Sequence, residues 1–511
     1  MLKKKLFIPV RILVILAIGL ALCGCSLTLP ALTEASANPT PLPADDTTSA
    51  VELTWYLVGN RTQADLPVVL EKANALLMEK LNVTLKLFVF TAGDEYDMKT
   101  NTALAAGEPI DIVFTANWNA NYNINATSGY FTELNGYLNK YPTIRNILGD
   151  SFLNASAING KNYAIPTNKE KVHHWGYLLR KDLVTKYNMD VTQITSIENI
   201  EPFLKTIWEN ERQITPLAVA AMDAPFQILD WDRISDDDVP GALYPDNGST
   251  RIINHFLAPE SIEVYRLMRS WYNKGYIHQD AEAMQNQLDQ MRSGRFFAAS
   301  QSLKPGKDAE ISANTGFEWV QVDITQPVMS NREATGAMLA IPVKSANPER
   351  AFRFIELLYT DKELINLLKF GIQDVHYHKV AENMIQLTDA AHSRYNPGYT
   401  WCFGDQFKDY VMDNEDPLKW DRFIIYNSKG LALDSLGFVF DKTNVEAQTS
   451  ACKNVVQAYY RQLFTGSADV DTTIRQFEKE LKAAGVGDLI AEMQKQYDAW
   501  LADKAAITPL P

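Results

Sequence analysis

The chain has 511 residues, of which 46% are apolar and 22% charged, and its formal net charge is −14. This length exceeds what one hydrophobic core organises, so we expect two or three lobes. An acidic chain repels nucleic acid and anionic lipid surfaces, which excludes both as partners. Only four cysteines occur, so no disulfide framework is present. Cys402 and Cys452 could pair in an oxidising compartment, or they could be two buried thiols.

Residues 1–24 have the pattern of a secretory signal peptide. The lysines at positions 3–5 and Arg11 are followed by an apolar run that is too short to span a bilayer. Leu22-Cys23-Gly24-Cys25 then resembles a bacterial lipobox, in which cleavage leaves Cys25 to be acylated. A transmembrane helix and a plain signal peptide are the alternatives, but Leu22 stands where a plain cleavage site needs a small residue.

Residues 25–50 are predicted to be a lipidated, disordered tether. Four prolines between positions 30 and 43 lie among Ser, Thr and Ala without an apolar period, so this stretch cannot bury a core. Loss of the four positive charges of the signal takes the formal charge from −14 to −18. We therefore expect the lipid alone to hold the protein at the membrane.

The globular part begins with alternating strand and helix patterns. Strands are predicted over residues 51–57, 83–89 and 110–114, and helices over residues 66–81 and 94–106. This order favours a parallel sheet with helices on both faces. Further on, Asn347-Pro348 is a helix start and residues 360–363 look like a capping box. The tail from Asp471 to Trp500 is predicted to be helical, with a break near Gly485 and Gly487.

Signatures of common catalytic sites are absent from the sequence. It contains no phosphate-binding loop, no nucleophile elbow and no zinc-binding HExxH helix. His376 and His378 would share a strand face, but no third ligand completes a metal site. We therefore predict neither a metal nor a cofactor. A surface glycosidase that uses Asp230 and Asp232, or Glu170, remains an alternative, since two carboxylates about 5–10 Å apart would suffice.

A tryptophan follows the third predicted strand. Trp118 stands between Asn117 and Asn119, just after the strand that ends at Phe114. Ligands of open parallel sheets bind beyond the carboxyl ends of the strands. A tryptophan face can stack on a pyranose ring while amides bond its hydroxyls, so this loop favours a sugar. The alternative is that Trp118 caps the core.

Several motifs, in order, resemble those of a known family. They comprise residues 107–114 followed by Trp118 and residues 129–134, the Gly-Lys-x-Tyr-Ala-x-Pro segment at 160–166, and residues 336–358. With the lipobox, they make the chain similar to extracellular solute-binding lipoproteins of ABC importers, in the carbohydrate-uptake group related to the maltose-binding type. The C-terminal region resembles an uncharacterised region found in a Gram-positive subset of these lipoproteins.

The resemblance implies an α/β, two-lobed fold of the type II periplasmic-binding-protein class. Each lobe would be a mixed sheet flanked by helices, with extra helices at the C-terminus. By analogy, residues 51–166 plus 322–372 form the N-terminal lobe and residues 167–321 plus 373–511 form the C-terminal lobe. Ligand would bind in the cleft and bias a hinge toward closure.

The function implied is capture of a sugar or oligosaccharide, without catalysis, and its delivery to an ABC permease. The protein would be a monomer anchored by lipid on the extracytoplasmic face of the cell membrane. The predicted ligand-binding residues combine the aromatic and polar side chains near the cleft: Tyr56, Asn60, Arg61, Trp118, Asn119, Tyr122, His174, Trp175, Trp231, Asp232 and Trp401. His173 and His174 stand where the family usually has an acidic residue. Peptides and charged glycans therefore remain alternatives, and Arg61, Arg180 and Lys169 would suit an acidic sugar.

Overall fold

The computed structural model describes residues 48–60, 63–220, 223–245, 248–284 and 286–507. The predicted signal peptide, Cys25, nearly all of the predicted tether and Arg61 lie outside the described residues. Within these ranges, no helix has the length and apolar character needed to cross a bilayer.

The first part of the chain follows the predicted alternation of strands and helices. Its elements are β1 (Val51–Val58), α1 (Leu66–Leu81), β2 (Val83–Phe90), α2 (Asp94–Ala106), β3 (Ile112–Thr115), α3 (Tyr122–Thr127), α4 (Asn135–Lys140), α5 (Thr143–Leu148), α6 (Asp150–Ala155) and β4 (Ala164–Pro166). β1 pairs in parallel with both β2 and β3. The five elements predicted up to residue 115 are confirmed, because each has a local sequence signal: an apolar period, a helix start or a short apolar run.

The middle of the chain builds a second sheet. Its elements are β5 (His174–Arg180), α7 (Lys181–Lys186), α8 (Glu201–Asn210), β6 (Thr215–Ala218), β7 (Asp232–Arg233), β8 (Ala242–Leu243), α9 (Pro259–Asn273), α10 (Gln287–Arg292), β9 (Phe296–Leu303), α11 (Lys307–Thr315) and β10 (Trp319–Asp323). The strand order is β10-β5-β9-β6. β5 is antiparallel to both of its neighbours, whereas β6 and β9 are parallel, so this sheet is mixed.

The last part of the chain returns to the first sheet and then adds helices. Its elements are β11 (Val328–Met329), α12 (Asn331–Ala334), β12 (Met338–Ala340), α13 (Pro348–Thr360), α14 (Lys362–Phe370), β13 (Tyr377–Ala381), β14 (Met384–Leu387), α15 (Asp389–Arg394), β15 (Val411–Met412), α16 (Lys419–Ser428), β16 (Leu431–Ala432), α17 (Glu446–Thr465), α18 (Val470–Ala483) and α19 (Val486–Ile507). β12 enters the first sheet between β3 and β4, antiparallel to both. The predicted helix start at Pro348 is confirmed. The predicted capping box is wrong, because Asp361 alone caps α14 by accepting from the Leu364 amide.

Each sheet has its own hydrophobic core. Trp55 is fully buried in the first core, where its ring meets the edges of Phe354 and Phe403. The second core surrounds Trp271 and includes the inner faces of α9 and α17. The fold is therefore two-lobed, with the extra C-terminal helices on the second core.

Three chain segments join the lobes and lie side by side. We call residues 167–173, 324–330 and 427–436 the hinge. β11 of the second segment pairs in parallel with β16 of the third, and His173 of the first forms a bridge with Val328. Backbone hydrogen bonds thus connect all three segments, and the lobes cannot separate without disturbing them.

One segment packs on the first lobe, although the sequence assigns it to the C-terminal lobe. Residues 373–511 were assigned to the C-terminal lobe, but Tyr399 and Phe403 lie in the first core. His376 and Arg394 both bind Asp65, which precedes α1, at 3.0 and 2.6 Å. The boundary predicted at residue 373 rests on the family analogy, and no local pattern indicates this long-range packing. Cys402 lies in this segment, and both Cys402 and Cys452 are buried free thiols.

A buried ion pair fastens this segment to α14. Lys369 Nζ lies 2.9 Å from both carboxylate oxygens of Asp409, and the two side chains are 0% and 3% exposed. We expect Lys369→Met alone to lower the free energy of unfolding by about 3–5 kcal/mol, because it leaves the Asp409 charge buried and unpaired. The double variant Lys369→Met, Asp409→Leu should recover most of this loss. Urea denaturation measures both.

The exposed pair Lys482–Glu478 provides the control, since its side chains are 70% and 46% exposed. Lys482→Met should change stability by less than about 1 kcal/mol. A Lys369→Met variant as stable as this control would contradict a strong buried pair.

Candidate functional site

Two tryptophans of the first lobe lie together at the edge of the sheet that faces the hinge. Trp118 follows β3, and Trp401 comes from the segment packed on the first core. Their ring centroids are 5.9 Å apart and their planes differ by 36°, with Phe114 about 6 Å from each ring. Trp118 is 48% exposed. We call this pair the tryptophan shelf; it offers a flat apolar surface to solvent.

The shelf is held in place by the residues that follow the hinge. The Trp118 indole N–H donates to the Gly336 carbonyl at 2.9 Å. The neighbouring Asn117 amide donates to Thr335 Oγ1 and to the Arg332 carbonyl, both at 3.1 Å. These bonds fix the indole edge, so its exposed face has a defined orientation.

Three predicted first-lobe ligand residues are bonded or packed within the lobe. The Asn119 amide is buried and binds Asp97 Oδ1 at 2.5 Å and the Gly93 carbonyl at 3.2 Å. Tyr122 is buried, and its hydroxyl donates to the Ser156 carbonyl. Tyr56 packs against the two aromatic rings of β2 at positions 88 and 90. Burial and the nearby Glu108 raise the Tyr56 pKa.

Asn60 lies at the rim of the same edge. Its amide donates to the Asn396 carbonyl at 2.7 Å, and its backbone N–H donates to the Pro397 carbonyl. A Cβ on Gly398 would come within 2.9 Å of the Asn60 amide nitrogen, and Gly398 has a φ of +68°. The turn at residues 396–398 thus covers the end of β1 next to the shelf.

Two predicted second-lobe ligand residues, Trp231 and Asp232, are buried within that lobe. Trp231 is 4% exposed and packs on Tyr244 at 5.1 Å. Asp232 accepts from the Ser435 backbone N–H at 3.0 Å and from its hydroxyl at 2.5 Å. Burial raises the Asp232 pKa to about 6 against the effect of these bonds. Asp232 therefore connects β7 to the hinge.

The two adjacent histidines point to opposite sides of the first hinge segment. His174 is buried, with Nδ1 2.7 Å from the Tyr426 hydroxyl and Nε2 2.9 Å from Asp323. These contacts use both ring nitrogens of His174 within the protein. Trp175 is half-buried, and its ring is nearly perpendicular to that of His173 at 6.5 Å. Trp175 stays a proposed second-lobe contact.

His173 lies between two carboxylates. Its Nε2 is 2.9 Å from Asp230 and its Nδ1 is 2.9 Å from Glu333. Burial opposes a charge on His173, but Coulomb attraction from Glu333 and Asp230 outweighs it and raises the His173 pKa to about 10. Burial also opposes a charge on Glu333 and by itself would raise the Glu333 pKa. The positive charge on His173 outweighs this effect and lowers the Glu333 pKa to about 2. We call His173, Asp230 and Glu333 the hinge triad.

The sequence does not indicate the hinge triad or the contact that holds Trp118 in place. The sequence offers Asp230 only as a catalytic carboxylate and gives no signal for Glu333 or Gly336 as site residues. His173 and Asp230 are 57 residues apart, and Trp118 and Gly336 are 218 apart. No local pattern connects such pairs.

The chemistry of these residues suits noncovalent binding. Glu170, the third carboxylate of the enzymatic alternative, contacts Lys169 and Lys304 at 3.4 and 3.6 Å. Among the residues that the structure describes, no three His, Cys, Asp or Glu side chains are grouped to hold a metal.

The hinge triad predicts a pH dependence. A histidine whose pKa rises on folding stabilises the fold below its unfolded pKa of about 6.5, and this contribution is lost as the pH rises toward 10. We expect His173→Asn to lower the free energy of unfolding by about 3–5 kcal/mol near pH 6, since it leaves two carboxylates without a counter-charge. The deficit should shrink between pH 7 and 10. Denaturant titrations over this range measure it.

His278→Asn is the control, because the His278 side chain is 42% exposed and lies in the second lobe. His278→Asn should lower the free energy of unfolding only slightly at every pH. A His173→Asn deficit that stays constant to pH 10 would contradict a charged His173.

Comparisons with known proteins agree with the fold. Residues 72–374 match the family of bacterial extracellular solute-binding proteins, and residues 434–502 match a domain of unknown function, DUF3502. A carbohydrate ABC transporter substrate-binding protein of Streptococcus pneumoniae serotype 4 is 26% identical, covering 98% of this chain and 99% of its own length.

Solved structures agree as well. The N-glycan transport solute binding protein of Streptococcus pneumoniae is 25% identical and overlaps with a TM-score of 0.81, covering 89% of this chain and all of its own. The complex of that protein with Man5GlcNAc overlaps with a TM-score of 0.69, covering 89% of this chain and 99% of its own. These likenesses confirm the predicted family resemblance and two-lobed fold. The chain belongs to the bacterial extracellular solute-binding proteins.

Proposed function

We propose that this protein is the lipid-anchored receptor of an ABC importer and that it captures an uncharged oligosaccharide on the tryptophan shelf. The exposed Trp118 face beside Trp401 is the observation that carries the proposal. An indole face stacks on the apolar face of a pyranose. The same face offers no hydrogen-bonding groups to a peptide backbone. The relatives' descriptions as carbohydrate and N-glycan binders support a sugar.

Closure of the two lobes would complete the site. The overlap with the streptococcal N-glycan protein is lower for its Man5GlcNAc complex than for the structure described without a ligand. This difference supports a lobe rearrangement on binding in that relative, and we infer the same for this chain. A ligand that touches both lobes would favour the closed form by its differential affinity. Trp175 is the second-lobe side chain that we place nearest the ligand.

Two of the basic residues that would suit an acidic sugar are already paired or lie away from the hinge, which favours a neutral sugar. Arg180 pairs with Asp182 at 2.6 Å and lies over the Phe317 ring, and Lys169 contacts Glu170. An acidic sugar would have to displace these carboxylates. Arg61, the third residue that suits an acidic sugar, lies outside the described residues.

We infer capture without catalysis. Asp230 is bound to His173 and Asp232 to Ser435, so neither carboxylate is placed to attack or protonate a glycosidic bond. The receptor would act as a monomer and pass its ligand to the permease.

Truncating the shelf should abolish most of the binding. We expect Trp118→Ala to weaken the affinity for Man5GlcNAc by at least about 30-fold, because an aromatic side chain that a ligand covers commonly contributes about 2 kcal/mol or more to binding. Isothermal titration calorimetry on wild type and variant measures this. Trp208→Ala is the control, since Trp208 is 44% exposed on α8 of the second lobe.

Three outcomes decide between ligand classes. Heat from Man5GlcNAc and none from oligogalacturonate supports a neutral sugar. Binding of oligogalacturonate with an affinity that falls with salt would assign an acidic sugar. A response to peptides alone, or an unchanged affinity of Trp118→Ala, would overturn the proposal.

The membrane anchor is tested separately. Cys25→Ala should release the protein from the membrane into the medium, because no acyl chain can then attach to the new N-terminus. Fractionation followed by immunoblotting measures the release, and calorimetry should find the sugar affinity unchanged. Retention of Cys25→Ala at the membrane would argue against a lipid anchor at this residue, and a lost affinity would contradict an anchor independent of the site.

A further inference from the structure

One short helix connects the tryptophan shelf to the rest of the molecule. α12 follows the second hinge segment and is closed by a reciprocal cap between Ser330 and Glu333. The shelf rests on its C-terminal end, since Trp118 donates to the Gly336 carbonyl and Asn117 donates to the Arg332 carbonyl. Ala334 is fully buried in the first core. α12 therefore belongs to the first lobe and carries the shelf.

The same helix contacts the second lobe. Arg332 Nη1 lies 3.0 and 2.9 Å from the two carboxylate oxygens of Asp237. Asp237 lies between β7 and β8, in a segment whose Val239 and Ala242 are buried in the second core. The two side chains are 61% and 42% exposed, so the pair is accessible to solvent.

The two neighbours of Arg332 bind the other hinge segments. Asn331 donates to the Ser435 and Phe438 carbonyls at 2.9 and 3.1 Å. Glu333 binds His173 of the first segment. Three consecutive residues of α12 thus contact three different segments, and a relative movement of the lobes must break or stretch at least one of these contacts.

We propose that Arg332 and Asp237 form a latch that holds the two lobes in the arrangement described here, and that α12 couples its release to the tryptophan shelf. This inference rests on the proposed function, because it assigns a regulatory role to the sugar site. Ligand binding would favour the closed arrangement, and the latch would oppose it. Exposed ion pairs have small effects, so the latch changes affinity by about two- to fivefold.

A charge exchange tests the latch. Arg332→Asp and Asp237→Arg each replace attraction by repulsion between the lobes, and the double variant Arg332→Asp, Asp237→Arg restores opposite charges between them. Arg233, whose Nη1 lies 3.9 Å from Asp237, belongs to the second lobe and is the same in every variant. Small-angle X-ray scattering of each full chain, without any ligand, reports the arrangement of the lobes. Both single variants should change the radius of gyration, and the double variant should return it to the wild-type value. Lys181→Asp is the matched control, since Lys181 and Glu318 form an exposed pair within the second lobe.

Calorimetry with Man5GlcNAc then tests the coupling. Each single variant should bind about two- to fivefold more tightly than wild type, and the double variant and Lys181→Asp should bind like wild type. Single variants that scatter like wild type would overturn the latch. A single variant that binds more weakly, without recovery in the double variant, would make Arg332 a ligand contact and overturn it too. If the scattering changes as expected but the protein binds no sugar, the latch is supported and the proposed function is overturned.

Discussion

The imidazolium of His173 between Asp230 and Glu333 is the interaction on which the two-lobed arrangement depends. The three charges come from the first hinge segment, from the second lobe and from the turn of α12 that leads back to the first lobe. Any one of them alone would be costly to bury, because the interior solvates an isolated ion poorly. The imidazolium offsets one of the two negative charges and contacts both carboxylates, and it does so only when the three segments are correctly placed.

The hydrogen bonds around the triad extend the same constraint. Asp232 binds Ser435 of the third segment, and His174 binds Tyr426 of α16. The polar side chains on both sides of the first hinge segment are thus used to align the three segments. The tryptophan shelf and Trp175 keep exposed apolar surface, and we propose that they recognise the ligand.

The shelf itself depends on the packing of the first lobe. Trp401 stands beside Trp118 because the next residues, Cys402 and Phe403, are buried in the first core beside Trp55. The sequence named both tryptophans but also named Asn119, Tyr122, His174, Trp231 and Asp232. Those five side chains have the chemistry of ligand contacts, and the same chemistry satisfies buried backbone and hinge groups. Residue type alone does not separate these two uses.

The sequence by itself determined the elements whose signal is local. The apolar patterns of β1 to β3, the starting points of α13 and α14 and the break between α18 and α19 depend on neighbouring residues, and so they could be predicted. The family motifs extended this to the two-lobed fold. Only the tertiary structure decided that residues 376–412 pack on the first lobe and that His173 is paired twice. It also decided that Trp118 rests on α12. Each of these contacts joins residues far apart in the chain, and their energy comes from burial and charge pairing that exist only once both lobes have formed.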